Sequence, residues 1–312
     1  MVSWNSPKLD AEETVFFSRQ LEYVKARTYD IIHRDLKATR LLPVSTEVPL
    51  GATEITWRSY EQYGQAKIIA DYAHDFPRVD LFGTENTIKV KDIGDSYGYS
   101  VIEIRRAMYA GFDLEQRRAR AARQAIDQRI DQIAWFGDAN YNIQGFIDYP
   151  GITEYIVPVG AAGDTTWATK TADEILADLN GIYDAIYVST AGKEMPDTIL
   201  LPIQQNQLIR NTRIGTASDT TIYEFFTRNH PGVTIEELVE LNDAGDPDTD
   251  DNETDRFMAY QRSEDKVTLE IPMAFEQLEE EKEGMEYQIP CHASTAGVII
   301  YYPMSVAYGD GI

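Results

Sequence analysis

The sequence predicts an α+β fold, and three observations carry that reading. A long stretch of helical periodicity ends on Trp135, Phe136 and Gly137. Period-two alternation marks β-strands in the segments before that stretch. Beyond Pro150-Gly151, short helical and strand patterns alternate, which suits one compact mixed domain.

Taken in order, the elements are as follows. Asp10 can cap a helix with Glu13 as reciprocal partner, and Phe17, Leu21, Val24 and Ile31 recur near helical spacing, so a helix is expected over 11–32. Residues 53–73 read as a hairpin. Ile55 and Trp57 share one face of its first strand, Gly64 lies in the turn, and Ala66, Ile68, Ala70 and Tyr72 alternate in the return strand. A two-stranded ribbon is only marginally stable alone, so Trp57, Tyr60, Tyr63 and Tyr72 point to contact with another surface. Further strand pattern runs over 86–104, with Gly94 and Gly98 marking a turn or bulge. The long helix is expected over about 113–136, with Asp113 as N-cap and Gly137 as stop. Its apolar stripe is Leu114, Ala122, Ile126, Ile130 and Ile133. Such a helix is a rod of roughly 37 Å. Helices are then expected over 171–190, 203–210 and 219–228, and strands at 198–201, 233–241, 257–261 and 266–271. The run 278–283 reads as an acidic turn or helix, and the C-terminus as an apolar strand.

Composition excludes several function classes. With 312 residues the chain buries about three quarters of its unfolded surface and needs no disulfide staples. Its single cysteine, Cys291, fits synthesis in a reducing compartment. No signal-peptide pattern opens the chain, and no apolar run reaches the ~20 residues that span a bilayer, so no membrane partner is expected. The formal net charge of -24 repels phosphate and argues against a dedicated DNA-binding protein. The arginines of the long helix stand out against that acidity: Arg117, Arg118, Arg120, Arg123 and Arg129. They read as a solvated face with helical ion pairs, as a contact with an acidic neighbouring subunit, or as a nucleic-acid contact.

No constellation for catalysis emerges. Asp246, Asp248 and Asp250 have the spacing of a calcium-loop start, but Asp251 stands where glycine is needed and Phe257 where a bidentate Glu is needed. Residues 242–255 therefore read as a solvated acidic loop, with a metal-dependent enzyme as a remote alternative. The four histidines form no ligand pair of the H-E-x-x-H kind. Cys291 and His292 are adjacent, so on a strand they diverge. Nucleophile elbow and Walker loop are absent. No metal, cofactor or catalytic residue is expected.

Several segments carry a resemblance. Leu21 to Asp30, Leu42-Pro43-Val44-Ser45, Ala66-Lys67-Ile68-Ile69-Ala70, Ile93 to Tyr99, Ile133 to Asp138 and the ending Tyr302-Pro303 through Ile312 occur in one order. Together they resemble the encapsulin-like subgroup of tailed-bacteriophage major capsid proteins, which have the Hong Kong 97 phage fold. The resemblance implies an N-terminal arm over 1–43 and an extension-loop hairpin over 44–80. It implies a peripheral domain over 81–150 and 256–290 that holds the spine helix, and an axial domain over 151–255 and 291–312. It further implies a structural protein of the virion, made in the host bacterial cytoplasm. Homo-hexamers and homo-pentamers would enclose double-stranded DNA without sequence-specific binding, with portal and scaffolding proteins as partners. With about 40 residues before the hairpin, any scaffold is expected to be a separate protein. The intersubunit contact residues expected on this reading are Trp57, Tyr60, Tyr63, Tyr72, Arg117, Arg118 and Arg120. The runner-up is an encapsulin-type nanocompartment shell.

Overall fold

A computed structural model describes residues 34–68, 76–110, 115–215, 219–245 and 254–312. The helix expected over 11–32, Tyr72 and most of the acidic loop, including Asp246, Asp248 and Asp250, lie outside the described residues. Leu36–Ile312 form one unit of the chain.

That unit begins with the one-turn helix α1 (Ala38–Leu41) and the strand β1 (Val44–Ser45). The ten-residue strands β2 (Glu54–Tyr63), β3 (Asp80–Lys89) and β4 (Lys91–Ser100) lead into α2 (Val101–Ala110) and the spine helix α3 (Glu115–Phe136). Short strands β5 (Gly137–Asp138), β6 (Ile143–Gln144) and β7 (Thr153–Glu154) follow, then α4 (Ala172–Ser189), β8 (Thr198–Leu201), α5 (Ile203–Asn211), α6 (Ile222–Asn229) and β9 (Thr234–Glu237). The chain closes with β10 (Arg256–Tyr260), β11 (Val267–Glu270), β12 (Met273–Gln277), β13 (Glu281–Glu283), β14 (Glu286–Thr295), β15 (Gly297–Ile300) and β16 (Val306–Asp310).

Local chemistry explains many boundaries. Thr171 and Thr221 cap α4 and α6, each in a reciprocal capping box with a glutamate three residues on. Gly137 ends the spine helix at a φ of +69°, where a Cβ would also collide with the Ile143 carbonyl. Trp135 is fully buried while Phe136 turns outward.

Two cores share one wall. The sheet in the order β7-β16-β10-β8-β9 has apolar residues on both faces. Along β10, Phe257 and Ala259 enter one core, and Met258 and Tyr260 enter the other. Ile199 and Leu201 of β8 join the first of these, and Leu200 the second. This is why β8 and β10 read as continuous apolar runs without alternation. On one side α4 and α6 pack through Ile175, Leu179, Ile182, Ile186, Ile222 and Phe226. On the other, the spine stripe Ala122, Ile126 and Ile130 packs on the long pair β4–β14. Arg256 pins the wall's C-terminal edge: it donates to both Asp310 carboxylate oxygens at 2.7 and 2.9 Å, to Asp148 at 2.9 Å, and to the Ile147 carbonyl at 2.8 Å.

Four expectations need correction. The partner of β2 is β3, not residues 66–72, so the ribbon runs past residue 80 to Lys89. Cross-strand chemistry favours that register: Ile55 opposes Ile88, Thr56 bonds Thr87, and Arg58 pairs with Glu85 at 2.8 Å. The glycines expected to turn the chain lie inside β4, which pairs with β14 without a break. At Gly98 a Cβ would sit 2.9 Å from the Tyr287 carbonyl, so the glycine serves close approach. Residues 101–104 are helical, opening α2 rather than ending a strand. Glu281–Glu283 form β13, a strand of a tight hairpin. The strand β10 lies in the sheet with β7, β16, β8 and β9, and β15 pairs with β11 in a separate sheet.

Candidate intersubunit surfaces

The β2–β3 ribbon is held at its base. Val90 N–H donates to the Thr53 carbonyl at 2.9 Å, and Trp57 meets Tyr301 edge-on at 6.0 Å. Trp57 therefore anchors the ribbon to its own subunit. Farther out, Tyr60 covers the bare backbone of Gly83, and Tyr63 packs edge-on against Phe82 at 5.5 Å. Both tyrosines remain more than half exposed, as do Phe76, Val79, Leu81 and Phe82. Apolar exposure on this scale makes the ribbon a candidate interaction surface. Sequence reading found the tyrosines but missed Leu81 and Phe82, because the return strand was placed too early.

The spine arginines separate into two groups. Arg118 stacks on Tyr99 at 4.8 Å and donates to the Gly98 carbonyl and to Glu103, so it braces α2 and α3 against β4. Arg123 lies 3.7 Å from Asp127, whose carboxyl burial pushes up despite that arginine. Arg129 pairs with Asp138. Arg117 and Arg120 are exposed and make no ion pair among the described residues. A common period cannot reveal this division, which depends on where the sheet ends.

A groove of about 340 Å³ runs between α1, α3 and β12, walled by Leu36, Ile130, Ile271 and Phe275. Asp131 on its floor accepts from the Ala38 N–H at 2.8 Å through Oδ1, while Oδ2 is buried without a partner.

Cys291 is buried and His292 turns to the other face of β14, 3.7 Å from Glu276, so the pair diverges as alternation requires. No cluster of three or more His, Cys, Asp or Glu side chains is placed to hold a metal among the described residues. No described helix is long and apolar enough to cross a membrane.

Comparison with known proteins agrees with this architecture. A family model described as major capsid protein matches residues 64–312. No curated protein matches the chain. Among solved structures, the capsid of Myoviridae phage XM1 superposes with a TM-score of 0.82 at 17% identity, over 96% of this chain and 100% of that one. The capsid of an empty GTA particle gives 0.62 at 12% identity, over 97% and 99%. A virus-like particle from Pyrococcus furiosus gives 0.53 at 12% identity, over 86% and 90%. These likenesses establish the fold, of Hong Kong 97 phage type, and the runner-up nanocompartment shell is not favoured. The family match extends over most of the length, including the spine helix and the shared sheet, and on that ground the chain belongs to the major capsid protein family.

Proposed function

We propose that copies of this chain assemble into hexamers and pentamers that close into an icosahedral head around double-stranded DNA. One observation carries this reading: a two-stranded ribbon projects from its base with aromatic and aliphatic side chains exposed. Such a ribbon gains stability by lying on something, and a second subunit supplies the surface. Each contact is weak, and closure of the shell multiplies it.

In this reading residues 1–43 are the arm, and the extension loop runs from 44 to Lys89 rather than to 80. The peripheral domain takes the rest of 81–150 with 256–290, and the axial domain takes 151–255 with 291–312. The strand β10 is then the wall between them. Tyr60, Tyr63, Tyr72, Arg117 and Arg120 make contacts with neighbours, while Trp57 and Arg118 hold the contacting elements in place. Portal and scaffolding proteins are further partners. A chain of net charge -24 encloses DNA without gripping its sequence. Its synthesis belongs to the host bacterial cytoplasm and its working place to the virion.

Thr53 and Val90 lie close enough for a short Gly-Ser linker to replace Glu54–Lys89. The shortened chain is expected to keep its cooperative thermal unfolding, yet to yield no particles by sedimentation and negative-stain microscopy. Normal particles from it would overturn the assigned role of the ribbon.

A further inference from the structure

We infer that the outward face of α2 docks the acidic β13–β14 hairpin tip of a second copy of this chain, a contact that rests on the shell role proposed above. Ile102, Arg105, Arg106, Met108 and Tyr109 lie on one face of this ten-residue helix, and all are exposed. Tyr109 is 96% exposed and Met108 is 78% exposed, so the helix leaves its larger apolar groups in water. Arg105 and Arg106 stand among them without an ion pair in the described residues. Arg117 and Arg120 extend the positive field onto α3, which Arg118 ties to Glu103 of α2.

The complement of that face occurs in the same chain. Between β12 and β14 the hairpin carries Glu279, Glu280, Glu281, Glu283 and Glu286, with Leu278 and Met285 exposed beside them. Glu283 and Glu286 oppose one another directly across the hairpin, an unfavourable like-charge pair that a nearby cation relieves. Apolar groups and charges thus match in kind on the two surfaces, with opposite sign.

The surfaces are neighbours that do not satisfy each other. Val101 N–H donates to the Met285 carbonyl at 2.9 Å, which sets the hairpin turn at the start of α2. No ion pair among the described residues joins Glu279–Glu286 to Arg105, Arg106, Arg117 or Arg120. Two complementary, adjacent patches on one body favour a head-to-tail contact in which each copy's tip meets the next copy's helix. Such heterologous contacts close into rings when the rotation permits. A second copy is the occupant we commit to, because the matching patch is part of every copy.

The test is a charge reversal in the full-length chain. R105E/R106E and E279K/E280K/E281K are each expected to lower particle yield at least tenfold while circular dichroism stays unchanged. The variant carrying both sets restores opposite signs and is expected to recover particles. If a reversed variant does not fold, R105Q/R106Q reads the same contact without repulsion and should still lower the yield. Normal yield from the single sets overturns the inference, as does failure of the combined variant to recover. Normal particles of R105E/R106E that hold less nucleic acid assign these arginines to DNA and also overturn it. If the unaltered chain forms no particles, the shell reading itself falls and takes this contact with it.

Discussion

Asp178 shows how a single buried charge is held in place. Lys170 Nζ lies 2.6 Å away and Trp167 Nε1 donates at 2.9 Å, all within the core between α4 and the shared sheet. Burial pushes the Asp178 carboxyl up, against the pull of Lys170 and Trp167. Lys170→Met leaves that carboxylate uncompensated and is expected to destabilise the subunit by about 3–5 kcal/mol in chemical denaturation. The deficit should shrink as pH falls. A carboxyl raised in the folded state binds its proton there first, and protonation removes the buried charge. The loop before α4 behaves in the opposite way. Thr166 and Thr165 N–H groups hold the Asp164 carboxyl below its ordinary range, and those of Thr171 and Ala161 do the same for Glu174. Depressed carboxyls contribute stability above their unfolded values and lose it as pH falls through their folded ones. Amide protection of residues 160–171, relative to the intrinsic rate at each pH, is therefore expected to fall in acid before that of β8 or β10.

At the scale of the element, the ribbon makes the clearest demand on its surroundings. Tyr60 and Phe82 are exposed on strands that pair for their full length, so they can be changed without opening a core. Tyr60→Ser together with Phe82→Ser is expected to leave the unfolding midpoint of the subunit within a degree or so of the unaltered chain, since substitutions outside the core cost little. Particle yield should fall severalfold in the same preparation, as read by sedimentation. Equal yield would show that the ribbon's apolar surface is idle. The strand that pairs with β2 was missed in the sequence because Ala66, Ile68, Ala70 and Tyr72 alternate as well as any short strand does. Alternation alone does not name the partner row. Thr87 opposite Thr56 and Glu85 opposite Arg58 supply it, and such matches become visible only when register is known.

For the whole molecule, net charge sets an expectation for the proposed assembly. Subunits of net charge -24 repel at long range, whereas paired side chains at an interface act over a few ångströms. The screening length falls from about 30 Å at 10 mM salt to about 8 Å at 150 mM. Assembly followed by light scattering is thus expected to quicken over that range, because repulsion between distant copies fades while close ion pairs persist. The spine helix, the later helices and β8 were legible along the chain, because each depends on neighbours three or four residues away or on an unbroken apolar run. So was the family, through short motifs kept in one order. The shared wall was not legible. Phe257 and Met258 look alike in the sequence, and the packing of α4 on one side and the spine helix on the other is what sends them into different cores. The arginines of the spine were equally opaque, since Arg118 and Arg120 differ only in whether β4 lies beneath them. Periodicity encodes which residues face inward; which inside they face depends on contacts far apart in the chain.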